Sequence, residues 1–242
     1  MVEPHCRERC EKIEKGGRLA ITFDDGWESV FTIARPILDR YGYKATLYAV
    51  TGRIGTEGYV RTDQLKLLGD AGWCIGSHTQ THPVLPKLDE DQVYHELAHS
   101  QLWLIENGFI NGSRHFAFPY GGYNRSVLRI VQSLYDTAVT THKRPVRLPL
   151  DKAYLLPRQG LGSSRLNSGY SVERARRLLE KVEKSHRCQI VYLHKIGPGG
   201  EWSPEQFEEI IDYVHALGLK VLTIEDIAKS YLSKMKYAHN PG

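Results

Sequence analysis

Two short segments of the chain bring together residue types that bind divalent metals and move protons. The first is an apolar run that ends in two adjacent carboxylates, Asp24 and Asp25. The second places two imidazoles, His78 and His82, four residues apart after another apolar run. One carboxylate and two histidines form an open ligand set that leaves positions for water and substrate. A second carboxylate beside the ligands can take a proton from that water, so the pattern predicts a metal-assisted hydrolase.

Short apolar segments recur along the chain, with amphipathic helical patterns between them. Continuous apolar runs are typical of strands that are buried on both faces, and alternation of strand and helix throughout predicts a parallel sheet. About eight such units predict a (β/α) barrel, which could be closed, open or distorted. The predicted strands are Leu19–Phe23, Ala45–Val50, Trp73–Gly76, His115–Phe118, Thr137–Thr140, Tyr154–Pro157, Gln189–Leu193 and Lys220–Thr223. We expect an N-terminal arm at residues 1–17 and one barrel domain at residues 18–242.

The candidate chemical groups all follow the C-terminal ends of predicted strands. The acidic pair, the histidine pair, residues 119–121 and His194 each lie just past an apolar run. In a (β/α) barrel, strand ends of this polarity meet at one mouth, where catalytic groups are found. The sequence therefore predicts that these four groups form one site.

The composition is that of an ordinary globular protein, with 41% apolar and 25% charged residues among 242. The formal charge of +4 is small and basic residues are interspersed with acids, so we expect no nucleic-acid partner. We find no apolar run that could span a membrane and no secretory signal before the first strand. We therefore expect a cytoplasmic protein, or an extracellular one if a leader has been removed. The sequence does not indicate an oligomeric state.

Four segments resemble motifs of the polysaccharide deacetylases of carbohydrate esterase family 4. They match the first, second, third and fifth motifs of that family, in order: Thr22–Gly26, Ser77–His82, Phe118–Gly121 and Val191–His194. The resemblance extends from about Leu19 to about Ile227, nearly the whole predicted domain. It implies a distorted (β/α) barrel with about seven to eight parallel strands. It also implies a metal-dependent enzyme that hydrolyses the acetamide of N-acetylglucosamine-type sugars in a polysaccharide or oligosaccharide.

The resemblance further implies a role for each matched residue. The metal ligands would be Asp25, His78 and His82. Zinc is the expected ion, and cobalt or nickel are alternatives. Asp24 would be the general base, and His194 the general acid that protonates the leaving amine. The backbone amide of Tyr120 would help to hold the oxyanion.

The chain departs from the family pattern at three places. Alanine stands at position 117, where the third motif usually has an arginine that orients the base. Arg158, at the end of the strand predicted to close with Pro157, points to the same mouth and could replace that arginine. The fourth motif, whose aspartate steers the acid histidine, has no clear match around residues 136–145. Tyr192 occupies a pocket position where leucine is usual. These departures leave two other functions open, a hydrolase of a small non-sugar amide and a non-catalytic carbohydrate-binding protein.

Two further groups of metal-ligating residue types lie outside these motifs. His95, Glu96 and His99 match the zinc-protease pattern His-Glu-x-x-His on a predicted helix. No third ligand follows at a recognised spacing, and a barrel places this helix in its outer layer, so we expect two exposed histidines. Cys6 and Cys10 could form a weak metal cluster or a disulfide, and the sequence leaves this open.

Overall fold

The computed structural model describes residues 16–150, 152–162, 171–185 and 187–230. The strands are β1 (Arg18–Phe23), β2 (Thr46–Ala49), β3 (Cys74–Ser77), β4 (His115–Ala117), β5 (Thr137–Thr140), β6 (Leu156–Gly160), β7 (Cys188–Leu193) and β8 (Lys220–Leu222). The α-helices are α1 (Arg35–Asp39), α2 (Thr62–Asp70), α3 (Glu90–Glu106), α4 (Arg125–Leu134), α5 (Val172–Lys184) and α6 (Pro204–Ala216). Cys6, Cys10 and nearly all of the arm predicted at residues 1–17 lie outside the described residues.

Seven parallel strands form a closed barrel, and the eighth distorts it. Strands β1 to β7 follow one another in chain order, and β1 closes the ring by pairing with both β7 and β2. On the edge that faces β2, only Thr22 and Phe23 of β1 pair with that strand, whereas residues 18–20 pair with β8. Strand β8 therefore lies between β1 and β2 at the N-terminal end of the barrel. The predicted distorted (β/α) barrel is confirmed.

Alternate residues of the strands face the surrounding helices and the barrel interior. In β1, Leu19, Ile21 and Phe23 pack in the large apolar cluster that the helices share, whereas Ala20 packs inside the barrel against residues of β5, β6 and β7. Both faces of the strand are buried, which explains its continuous apolar sequence. Among the described residues, no helix is both long and apolar enough to cross a membrane.

Two expectations about the elements are wrong. The strand predicted at Tyr154–Pro157 lies at Leu156–Gly160, because the chain stays extended past Pro157 and buries Arg158 inside the barrel, where a carboxylate neutralises its charge. Strand and helix also do not alternate throughout, since the described residues between β5 and β6 contain no helix. This segment is irregular instead, and its Val146 bridges to Cys188 at the start of β7.

Candidate active site

Asp25, His78 and His82 converge at the C-terminal mouth of the barrel, where one potential ligand atom from each lies within 4.8 Å of the others. The Nε2 atom of His82 is 3.2 Å from Nε2 of His78 and 3.5 Å from Oδ1 of Asp25. This buried Oδ1 atom has no hydrogen-bond partner among the described residues. Two imidazole nitrogens and an otherwise unpartnered carboxylate oxygen fit a divalent cation.

Neighbouring groups orient two of the candidate ligands, His78 and Asp25. The Nδ1 atom of His78 is 2.7 Å from the carbonyl oxygen of Ala117. A carbonyl can only accept, so Nδ1 carries the hydrogen and Nε2 presents its lone pair to the cluster. Trp27 Nε1 donates to Oδ2 of Asp25 at 3.1 Å, which leaves Oδ1 facing the histidines. Burial lowers the pKa of both imidazoles, and the neighbouring His78 lowers that of His82 further, to about 4. Both rings are therefore neutral, as metal binding requires.

The backbone at the mouth takes an uncommon conformation. Five described residues other than glycine have a positive φ angle, and four of them, Asp25, Thr79, His82 and Tyr120, belong to this site. The φ of Asp25 is 72°, outside the extended region in which consecutive side chains point to opposite faces of a strand. Asp24 and Asp25 therefore both line the pocket, with His78 Nε2 3.9 Å from Oδ2 of Asp24 and 3.7 Å from Oδ1 of Asp25.

The loop between the two histidines is anchored by Glu96 of α3. Its carboxylate accepts hydrogen bonds from the amide of Gln80 at 3.0 Å and from the amide and hydroxyl of Thr81 at 2.8 and 2.6 Å. The motif His-Glu-x-x-His therefore contributes its glutamate to the site rather than its histidines. His95 and His99 are exposed on α3, in agreement with the sequence prediction.

We expect Glu96→Gln to lower the affinity for zinc by about 10- to 100-fold, because the hydrogen bonds of Glu96 hold the loop that carries the candidate ligands. The glutamine amide group would turn a donor toward backbone amides that need an acceptor. Affinity is measured by competition with a chromophoric chelator. Glu90→Gln is the matched control, since Glu90 lies on the same helix but binds exposed Arg129. Equal affinities of the two variants would contradict this role for Glu96.

Asp24 forms a buried, two-pronged ion pair with Arg158. The arginine Nη1 and Nη2 atoms donate to Oδ1 and Oδ2 of Asp24 at 2.7 and 2.6 Å, and Nη1 also donates to Thr22 Oγ1 at 3.0 Å. Burial alone would raise the pKa of Asp24, but the charge and hydrogen bonds of Arg158 outweigh it and lower the pKa to about 2. Asp24 is therefore ionised. Arg158 contacts Asp24 from within β6 rather than from beyond its end; a catalytic role for Arg158 stays a prediction.

His194 is paired with Glu201, which sequence reasoning missed. The Nδ1 atom of His194 is 2.5 Å from Oε1 of Glu201, and the His194 amide donates to Oε2 at 2.8 Å. Burial lowers the pKa of His194, but the hydrogen bond to Glu201 and the charges of Asp24, Glu201 and Asp25 raise it overall, to about 9. The available signal was an acid directly after residues 197–200, a glycine-rich turn that brings the chain back to the histidine.

The predicted residues line one cavity of about 510 Å³ at the barrel mouth. Its lining contains every predicted site residue: Asp24, Asp25, His78, His82, Tyr120, Arg158 and His194. The Tyr120 ring is 68% exposed and packs edge-on against the His82 ring with centroids 4.7 Å apart. The cavity thus combines three features: the Asp–His–His group that could hold a metal, the ionised carboxylate of Asp24 and the protonated imidazole of His194.

Comparison with known proteins gives consistent matches. Residues 11–139 match the family model for polysaccharide deacetylases. The chain is 34% identical over 122 residues to YxkH of Bacillus subtilis, a protein named after that family, covering 50% of this chain and 43% of YxkH. It is 28% identical over 151 residues to a poly-β-1,6-N-acetyl-D-glucosamine N-deacetylase of Staphylococcus aureus, covering 53% of this chain and 52% of that protein.

A solved structure, the Streptococcus pyogenes deacetylase PplD in complex with acetate, is also similar. It has 29% sequence identity and a TM-score of 0.51, and the match covers 57% of this chain and 64% of that one. The chain spans about half the length of the curated relatives that it matches.

Proposed function

We propose that the chain, which belongs to the polysaccharide deacetylase family, is a metal-dependent hydrolase that removes acetyl groups from N-acetylglucosamine-type sugars in a polysaccharide or oligosaccharide. The observation that carries this proposal is the lining of the pocket, where an Asp–His–His cluster lies beside an ionised carboxylate and a protonated imidazole. The sugar class is supported by the Staphylococcus aureus relative, which is named as an N-acetyl-D-glucosamine polymer N-deacetylase. The release of acetate as product is supported by PplD, a deacetylase whose structure holds acetate.

Asp25, His78 and His82 would hold the cation. When bound, a divalent metal polarises the acetyl carbonyl and lowers the pKa of water. Zinc is the proposed ion because it favours imidazole and carboxylate ligands in open sites. Cobalt and nickel accept the same ligand set.

Asp24 is the proposed general base. Its carboxylate stays ionised because Arg158 lowers its pKa to about 2. Arg158 binds both oxygens and so fixes the plane of the carboxylate, while each oxygen keeps a further lone pair for a proton of the attacking water. Arg158 is thus proposed as the residue that positions the base, in place of the arginine that family members usually have at position 117.

His194 is the proposed general acid, and Glu201 positions it. The Nδ1 atom is engaged by Glu201, so Nε2 is the nitrogen that would give its proton to the leaving amine. A pKa of about 9 keeps the ring protonated at neutral pH. The backbone amide of Tyr120, in the turn at residues 119–121, is proposed to donate to the developing oxyanion.

We expect Glu201→Gln to shift the alkaline loss of kcat/KM to lower pH by about one pH unit or more. An acid must be protonated to act, so activity is lost as pH rises through the pKa of His194. Without the Glu201 charge, only the charges of Asp24 and Asp25 oppose the effect of burial, so the pKa of His194 falls. The measurement is the pH profile of kcat/KM on an acetylated oligomer. Glu205→Gln, at an exposed acid near the start of α6, is the control, and an unchanged alkaline limb in Glu201→Gln would contradict the pairing.

The proposed function is tested by acetate release from the N-acetylglucosamine hexamer by the metal-stripped protein, before and after addition of zinc or cobalt. We expect release only with metal, lost in His78→Ala and kept in His95→Ala. Dependence on His95 instead would favour the protease pattern. Faster hydrolysis of simple acetamides than of the hexamer would favour a small-amide hydrolase. Binding of the hexamer without release would favour a non-catalytic carbohydrate-binding protein.

A further inference from the structure

We propose that the barrel carries a second groove, continuous with the active-site pocket, that binds the negatively charged units of an anionic polysaccharide. This basic groove is formed by residues 143–145, by β6 and β7 and by α5. The inference deepens the proposed function and rests on it, because it assigns the substrate polymer carboxylate or phosphodiester groups close to the acetylated sugar.

The groove exists because the chain omits one helix of the barrel. The described residues between β5 and β6 contain no helix. They follow an irregular path in which Val146 and Cys188 exchange backbone hydrogen bonds of 2.8 and 3.0 Å. A cavity of about 450 Å³ lies between this segment and α5. A covering helix would close this space in a regular barrel.

Cations dominate the lining of the basic groove. Its described lining includes no acidic side chain and five basic ones: Lys143, Arg144, Arg174, Arg177 and Lys181. Exposed Glu173, one turn before Arg177 on α5, pairs with it at 2.7 Å and offsets one of these charges. A concentration of like charge beside a catalytic pocket attracts anionic ligands.

The remaining lining suits a sugar chain better than a nucleic acid. Gln159, Gln189 and Ser185 offer amide and hydroxyl groups for sugar hydroxyls, and Leu178 and Val182 offer apolar surface for sugar rings. Among the residues that the structure describes, those lining the groove include no aromatic side chain of the kind on which nucleic-acid bases stack.

Continuity with the active-site pocket connects the groove to the proposed reaction. Lys143 and Gln159 line both cavities. Gln189 lines the groove near the start of β7, and His194 follows the end of that strand. The two residues are five positions apart, which corresponds to about 16 Å along an extended chain. A polymer whose acetylated sugar lies in the pocket can therefore place its neighbouring units against the cations of α5.

The test measures affinity for three probes by isothermal titration over a range of salt concentrations. The probes are the neutral N-acetylglucosamine hexamer, a hyaluronan hexasaccharide that carries carboxylates, and a phosphodiester-linked N-acetylglucosamine polymer. The test variant combines Arg174→Gln, Arg177→Gln and Lys181→Gln, which lie outside the active-site pocket. The control variant combines Lys66→Gln, Arg129→Gln and Lys184→Gln, which removes the same charge from exposed positions outside the groove.

We expect at least one anionic probe to bind about tenfold or more tightly than the neutral hexamer, with an affinity that falls as salt rises. The test variant should lose about tenfold in affinity for that probe and keep its affinity for the hexamer, whereas the control variant should keep both. Equal binding of all three probes, or equal losses in both variants, would overturn the proposal. Which anionic probe responds decides between carboxylate and phosphodiester.

Failure of the groove and failure of the proposed function remain distinguishable. The titrations need no turnover, and acetate release from the neutral hexamer needs no groove. Binding of an anionic probe that is weakened in the test variant, without any acetate release, would contradict the deacetylase activity alone. Acetate release without any preference for anionic probes would contradict the groove alone.

Discussion

Asp24→Asn is expected to lower kcat by about 10²- to 10⁴-fold, which is the usual contribution of a general base. The amide cannot take a proton from water, whereas the candidate ligands Asp25, His78 and His82 are unchanged. The bound zinc should therefore stay near one ion per chain. The measurement combines kcat for acetate release with metal content after gel filtration.

Asp25→Asn is the matched control, because it changes the neighbouring carboxylate in the same way. This variant should lose zinc affinity, and added zinc should restore part of its activity. Added zinc should not restore Asp24→Asn. If excess zinc rescues both variants equally, the division between base and ligand is wrong.

Arg158→Met is expected to lower the free energy of unfolding by about 3 to 5 kcal/mol, since it leaves a buried carboxylate without its partner. For a chain of 242 residues this corresponds to a fall in Tm of roughly 6 to 20 °C. Urea unfolding in the presence of a chelator measures the change without a contribution from bound metal. An equally stable variant would contradict the ion pair.

The pH dependence of this loss has a defined sign. In the native chain the pKa of Asp24 is lowered to about 2, so its ionisation stabilises the fold above the ordinary carboxyl pKa. That contribution disappears as pH falls through the native value. In Arg158→Met, burial raises the pKa of Asp24, so the variant becomes less stable as pH rises. The stability difference should thus be smallest at about pH 2 and below, where Asp24 is protonated in both proteins, and should grow toward neutral pH. The double variant Asp24→Asn with Arg158→Met should recover most of the loss, because no buried charge remains.

The barrel could be predicted from the sequence because most of its strands are buried on both faces and occur as short, largely apolar runs. The same signal failed at β6, where Pro157, Arg158 and Gly160 belong to the strand but not to an apolar run. Arg158 is tolerated there only because Asp24, which is 134 residues away in sequence, faces it across the barrel. A long-range ion pair of this kind leaves no local periodicity to detect.

The site was predictable where its residues occur as compact pairs at strand ends. The acids at 24 and 25 and the histidines at 78 and 82 carry enough local pattern to be recognised. Glu201 was missed because it acts from a loop whose path depends on the fold, and its type and spacing differ from the expected aspartate. The role of Glu96 was hidden for a different reason. Its motif suggested a chemical function for the flanking histidines, whereas the structure uses the glutamate to hold a loop.

The four residues with positive φ at the barrel mouth lower the stability of the fold, and two of them are candidate metal ligands. Each position costs about 1 to 3 kcal/mol relative to a relaxed backbone, so together they take up several kcal/mol in a molecule whose net stability is about 5 to 15 kcal/mol. Glycine would relieve this strain, but glycine at position 25 or 82 would delete a candidate ligand. Selection for thermal resistance alone should therefore favour glycine at positions 25 and 82 at the expense of the candidate metal site, and stabilising substitutions that keep the site must lie elsewhere.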